Sequence, residues 1–175
     1  MVEFVKWPKI PRGNPLEITI TEKINGTNSC VIVENGEVVG CQSRNRLITT
    51  ENDNFGFAAW VEENKEQLAL LGDGHHFGEW AGPGIQKNPI NLDKKEFYLF
   101  NTHMWNEETT PSCCSVVPVL YEGIYTEQIV KDVMSDLMEL SVSTYIPEGI
   151  VVYFRLFSKY VKFTFDTPEG KWKGV

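Results

Sequence analysis

Five charged side chains at strand ends or on strands carry the chemistry this sequence could perform: Lys23, Arg44, Glu79, Glu148 and Lys162. A lysine that is desolvated or set near other cations becomes a nucleophilic amine. With further cations to neutralise a phosphoryl group and a carboxylate to hold a divalent ion, the set suits attack on a nucleotide phosphate. Carboxylate and phosphate oxygens are hard ligands, so magnesium or manganese fits better than zinc. Lys23 is the pivot. It ends an alternating segment (Leu16, Ile18, Ile20), which is the period of a half-buried strand, and precedes a tight turn at Gly26. Such a lysine can point into a pocket while the backbone turns away.

Each position also has a plainer reading. Lys-x-x-Gly alone is most often a surface lysine before a turn. Glu79 and Glu148 could be solubilising edge-strand charges. Phe100, on an alternating strand, is by pattern more often core, and Arg44 with Arg46 could be exposed and worth little.

The elements that must position these groups are mostly strands. A strand over 16–22 leads into the lysine turn. Segments 30–33 and 37–41 flank Asn35-Gly36, a strong hairpin signal. Residues 54–71 read as one helix burying Phe57, Trp60, Val61, Leu68 and Leu71, closed by Gly72. Strands follow at 76–80, 96–101 and 116–121, with a glycine-rich loop at 81–87 and a polar loop over 102–115. Thr126 caps a helix to about Leu140, whose stripe is Ile129, Val130, Val133, Leu137 and Leu140. Strands 149–154 and 160–165 are close enough to form a hairpin. Pro8, Pro11 and Pro15 mark an irregular lead-in, and Lys171-Trp172-Lys173 a basic tail. Strands in antiparallel-type pairs, without regular strand–helix alternation, indicate an α+β fold with helices outside antiparallel sheets.

A length of 175 residues, 42% hydrophobic and 12% aromatic content, and no repeat or linker indicate a single folded domain over 1–175. No apolar run reaches membrane-spanning length, and the N-terminus lacks the apolar centre of a signal peptide, so a cytoplasmic, membrane-independent protein is expected. Cys30, Cys41, Cys113 and Cys114 lack zinc-ligand spacing and read as reduced structural thiols, and His75-His76 as a solvated pair. The net charge of −8 argues against non-specific nucleic-acid binding, although a local basic groove can sit on an acidic body.

Six segments, in order and over nearly the whole length, resemble the covalent nucleotidyltransferases. The likeness is greatest to ATP-dependent RNA ligases of the bacteriophage double-strand-break-sealing type. EKINGTN (22–28) is similar to their nucleophile motif and SRNR (43–46) to the arginine-bearing motif after it. FGEWAGPGIQK (77–87) resembles a stretch specific to this branch. FYLFN (97–101) looks like the strand carrying a base-stacking aromatic, EGIVVY (148–153) like the next motif and KYVKFTF (159–165) like the last. The resemblance implies a minimal adenylation domain without an OB or other C-terminal accessory domain. By the same likeness, Lys23 would take AMP from ATP as a phosphoramidate. The AMP would pass to a 5′-phosphate RNA end, and a 3′-hydroxyl would displace it. Glu22 would help select adenine through its backbone, Phe100 would stack on the base and Glu79 would meet the ribose hydroxyl. Glu148 would bind Mg²⁺ or Mn²⁺, Lys162 would contact the α-phosphate, and Asn28 and Arg44 would position the RNA phosphate. The expected partners are ATP and broken or nicked RNA ends in RNA repair, with room for a protein partner that supplies RNA affinity.

Besides the expected lack of a C-terminal domain, the sequence departs from the family pattern at two motif positions. Asn25 stands where many relatives of the superfamily have Asp. Thr164 replaces the second of two lysines spaced two apart on one strand face; Lys159 lies on the other face by parity, and Lys171 or Lys173 could substitute. Two alternatives stay open: a related DNA ligase or GTP-using capping enzyme, and a non-catalytic nucleotide- or RNA-end-binding module.

Overall fold

A computed structural model describes residues 15–142 and 145–165; Lys171 and Lys173, and the proline-rich lead-in before Pro15, lie outside them. The described chain is an α+β arrangement of two sheets. The first contains β1 (Glu17–Glu22), β8 (Val119–Ile124), β9 (Gly149–Phe154) and β10 (Lys159–Thr164), in the order β10-β9-β1-β8, all antiparallel. The second contains β2 (Thr27–Glu34), β3 (Glu37–Ser43), β4 (Leu47–Ile48), β5 (Gly74–Ala81), β6 (Glu96–Leu99) and β7 (Ser115–Val116), in the order β4-β3-β2-β5-β6-β7. Its pairs are antiparallel except β6 with β7.

Each sheet buries one face beneath helix. In the first, the alternation of β1 sends Ile18 and Ile20 to one side, where they meet Ile150 and Val152 of β9 and the helix α3 (Glu127–Glu139). Thr126 caps α3, its hydroxyl accepting from the Ile129 amide at 3.1 Å. The buried stripe of α3 is Val130, Met134 and Leu137. Leu140, expected in that stripe, is largely exposed because the helix ends at Glu139 and the chain turns there.

In the second sheet, Val31 and Val33 of β2, Trp80 of β5 and Phe97 of β6 pack beneath α1 (Phe57–Glu63) and α2 (Lys65–Leu68). The apolar residues expected on the 54–71 helix, Phe57, Trp60, Val61, Leu68 and Leu71, all join this core, but the helix is not continuous. At Asn64 the backbone leaves the helical region (φ −115°), and its side-chain amide donates to the Trp60 carbonyl at 2.8 Å. A local side-chain bond has displaced the ladder, and the chain closes in a 3₁₀ turn at Ala69–Leu71.

The single strand expected over 116–121 is also divided. Ser115–Val116 pairs in the second sheet and Val119–Ile124 in the first, with Val117-Pro118 crossing between them. Proline has no amide proton to donate to a ladder, so the strand breaks there. Its carbonyl is used instead, accepting from the Glu22 amide at 2.9 Å.

Candidate active site

The sheet faces turned away from the helices carry the chemistry. On the first sheet the alternation opposite Ile18 and Ile20 presents Thr19, Thr21 and then Lys23, whose amide donates to the Gly149 carbonyl at 2.9 Å. Register places Val151 and Tyr153 of β9, and Lys162 and Tyr160 of β10, on this same face. On the second sheet the face opposite the core carries Asn28, Glu79, Phe77, Tyr98 and Phe100, because Asn28, Glu79 and Tyr98 are direct cross-strand partners.

The turn between β1 and β2 joins the two faces at Lys23. Gly26 is required there by close approach: a Cβ on it would sit 2.4 Å from the Trp80 carbonyl and 3.0 Å from Glu79 Cγ. The turn is thus pressed onto β5, and the Gly26 amide bonds to the Glu79 carboxylate. Lys23 Nζ lies 2.7 Å from Glu148 Oε2, both side chains about one-fifth exposed. Glu148 is held by its neighbour. Gly149 adopts φ +145°, and a Cβ there would fall 2.0 Å from the Phe163 carbonyl of β10. Only glycine lets β9 begin so close to β10.

Glu79 is 7% exposed and sits beside this pair. Burial pushes its carboxyl from the usual 4.5 up to about 7. The Lys23 ammonium opposes the shift, the Glu148 carboxylate adds to it, and the bonds from Gly26 and Asn28 oppose it. Asn28 Nδ2 donates to Glu79 Oε2 at 2.8 Å, and Arg44 Nε donates to Asn28 Oδ1 at 2.8 Å, with a second guanidinium nitrogen on the same oxygen. Arg44, Asn28 and Glu79 therefore form one hydrogen-bonded line leading to Lys23.

Beside that line is a hollow of about 330 Å³ bounded by Asn28, Gln42, Arg44, Phe77 and Phe100. Phe100 is 39% exposed and outside the core, with its ring available to the hollow. Lys162 is exposed and shares the Lys23 face, while Lys159 pairs with Phe154 and points the other way, as parity indicates. Thr164 is buried opposite Gly149.

One expected site residue is placed differently from the rest. Glu22 is buried on the Ile18 and Ile20 side, away from Lys23, and accepts from the Tyr145 hydroxyl at 2.6 Å. Burial raises its carboxyl, with the Tyr145 bond opposing. Arg46, two positions beyond Arg44, instead donates to the Asn52 and Asp53 carbonyls at 2.8 and 3.1 Å and braces the approach to α1. Sequence reasoning overlooked Tyr145, Tyr153, Tyr160 and His103. For the first there is no local signal, since its partner is 123 positions away. For Tyr153 and Tyr160 the polar side of a two-residue alternation was the available sign.

The four cysteines are free thiols, with Cys113 Sγ and Cys114 Sγ 3.7 Å apart. His76 is tied to the Gly72 carbonyl at 2.8 Å and His75 stacks along Phe77. Among the described residues no helix is long and apolar enough to cross a membrane. None of them forms a cluster of three His, Cys, Asp or Glu side chains able to hold a metal.

The fold matches solved structures of Naegleria gruberi RNA ligase. An apo variant aligns with TM-score 0.63 and 19% identity, a variant with AMP and Mn with 0.61 and 18%, and the ligase with PPi with 0.61 and 21%. In each case the match covers 86% of this chain and 50% of that one, so the chain spans about half the length of those ligases. At such identity the likeness establishes a fold shared with those ligases and no more. The family model for RNA ligase matches residues 16–164, from the head of β1 to the end of β10. This chain therefore belongs to the RNA ligase family.

Proposed function

We propose that the protein is an ATP-dependent RNA ligase that works through a lysyl-AMP intermediate. The observation that carries this reading is the position of Lys23: its amine is 2.7 Å from one carboxylate, beside a second, buried one, where two open sheet faces meet. In the first step the Lys23 amine, having lost its proton, forms a bond to the α-phosphorus of ATP while the bond to the pyrophosphate oxygen breaks. For this the ion pair with Glu148 must open, because a paired ammonium has no lone pair to give. Phe100 stacks on the base, and the Glu79 carboxylate accepts from a ribose hydroxyl once ionised. Lys162 meets the α-phosphate. Glu22, turned towards Tyr145, contributes through its backbone.

Two carboxylates, with no cluster of three ligating side chains among the described residues, suit Mg²⁺ or Mn²⁺, hard ions that keep water and phosphate oxygens in their shell. Glu148, with Glu79 behind it, would hold the ion, which supplies charge neutralisation at the phosphates. Naegleria gruberi RNA ligase variants solved with AMP and Mn, and with ATP and Mn, agree with that choice. AMP then passes from Lys23 to a 5′-phosphate RNA end, and a 3′-hydroxyl attacks that phosphorus and expels AMP. The Arg44–Asn28 line is the natural holder of the RNA phosphate. The ordered motifs, GEWAGPGIQK above all, favour the bacteriophage double-strand-sealing branch, and with it RNA repair.

The test is intact mass after mixing the protein with ATP and magnesium. The expected result is a gain of one AMP, absent in Lys23→Ala while that variant keeps its circular dichroism. An adduct that persists in Lys23→Ala assigns the nucleophile elsewhere. A second reading, a nucleotide-binding module that is never adenylated, draws on the buried Thr164 in place of a lysine. Bound ATP with no adduct in the wild-type chain would select it.

A further inference from the structure

The open face of the first sheet does not end at Lys162. Two residues before it Tyr160 faces Tyr153 across the β9–β10 pair, ring centroids 4.7 Å apart, and the Tyr153 ring meets the edge of His103 at 5.7 Å. Three rings thus stand in succession on the side of the sheet opposite its core. Tyr160 is 67% exposed, and the fold buries neither of its ring faces beneath α3. His103 comes from the loop after β6, just beyond Phe100, so the row starts from the second sheet and ends at the exposed edge strand of the first. Lys162 lies two residues along the strand from Tyr160, about the separation between a nucleotide's base and its phosphate.

The charge of the whole chain decides what such a row is for. At −8 the molecule as a whole repels a polyanion, so contacts that do not depend on charge would add to what Arg44 supplies locally. Aromatic rings can stack on any base, because every base has a π-face. From this geometry, and resting on the RNA-joining reading above, we propose that Tyr160 and Tyr153, backed by His103, form a stacking platform for a nucleobase of the RNA strand, outside the ATP site. The platform also accounts for RNA affinity without a basic groove.

A cross-strand tyrosine pair could instead serve only to hold β9 to β10, and the test separates the two roles. Binding of a fluorescently labelled, 5′-phosphorylated single-stranded oligoribonucleotide is measured by anisotropy for the wild-type chain, Tyr160→Ala, Tyr160→Ile and Tyr160→Phe. Isoleucine keeps strand propensity and apolar packing but has no π-face, so it guards against a variant that merely fails to fold. The expected result is a loss of about tenfold in RNA affinity for Tyr160→Ala and Tyr160→Ile, with near wild-type binding for Tyr160→Phe. The rate of AMP adduct formation from ATP alone should not change. Wild-type affinity in Tyr160→Ile, no RNA binding by the wild type, or a loss confined to the apparent affinity for ATP would each overturn the platform. RNA binding that depends on Tyr160 in a chain that never gains AMP would retain the platform and refute the ligase mechanism. An adduct with Tyr160-independent RNA binding would do the reverse.

Discussion

Glu79→Gln tests the electrostatics on which the site depends. In the folded chain burial lifts the Glu79 carboxyl from 4.5 to about 7, against the pull of Lys23. A carboxyl raised by folding binds its proton more tightly in the native state than in the unfolded one. Its stabilising contribution is therefore complete below about pH 4.5, drains away as pH rises towards 7, and is gone above it. At 1.36 kcal/mol per pH unit, that interval amounts to about 3 kcal/mol. The glutamine does not titrate, and Glu22, whose carboxyl is also raised, is common to both proteins and cancels in the comparison. Urea unfolding of the two proteins at steps between about pH 5 and about pH 8 gives the difference directly. Wild-type stability relative to the variant should fall by about 3 kcal/mol across this range and level off near its upper end. Curves that stay parallel would refute the reasoning, because they would mean that Glu79 remains an ordinary solvated carboxylate. If the carboxylate also receives the ribose hydroxyl, ATP binding should strengthen as pH rises through 7 in the wild type and stay flat in the variant.

The two arginines of the SRNR segment should separate cleanly. Arg46→Ala removes the donors to the Asn52 and Asp53 carbonyls and should lower stability by about 1–2 kcal/mol in denaturant melts, with little effect on AMP uptake. Arg44→Ala should leave stability and the AMP adduct nearly intact while reducing RNA joining, measured with defined oligonucleotide ends. Equal effects on both readouts would show the assignment to be wrong. Gly149→Ala should destabilise by about 3 kcal/mol or more, because its Cβ would meet the Phe163 carbonyl and its φ of +145° suits only glycine. An unchanged melting temperature there would mean that β9 and β10 can separate at no cost.

Some of this protein was settled by local physics and is legible residue by residue. The alternation of Ile18 and Ile20 assigned β1 its buried face, and with it the opposite face to Lys23. Asn35 and Gly36 take the positive φ values, 53° and 77°, that make the β2–β3 hairpin tight. Thr126 starts α3 because a hydroxyl there satisfies an otherwise unpaired amide. Dihedral preference and two- or four-residue periodicity act within a few positions, so the sequence alone reveals them. The order of six motifs added the RNA-ligase likeness, although that came from resemblance and not from spacing.

What the sequence alone could not decide depends on partners distant in the chain. Arg44 and Arg46 are equivalent as text, yet cross-strand register sets one against Asn28 and turns the other onto loop carbonyls. The 54–71 stripe is equally compatible with one helix or with two pieces broken where Asn64 bonds back to Trp60. The 116–121 segment splits because two sheets compete for it on either side of Pro118. Glu79 became a carboxyl with an unusual proton affinity only when folding buried it beside the Lys23–Glu148 pair. Periodicity fixes which side of a strand a residue faces, but only the packed arrangement of the strands fixes what it faces, and the chemistry of a charged side chain depends on the latter.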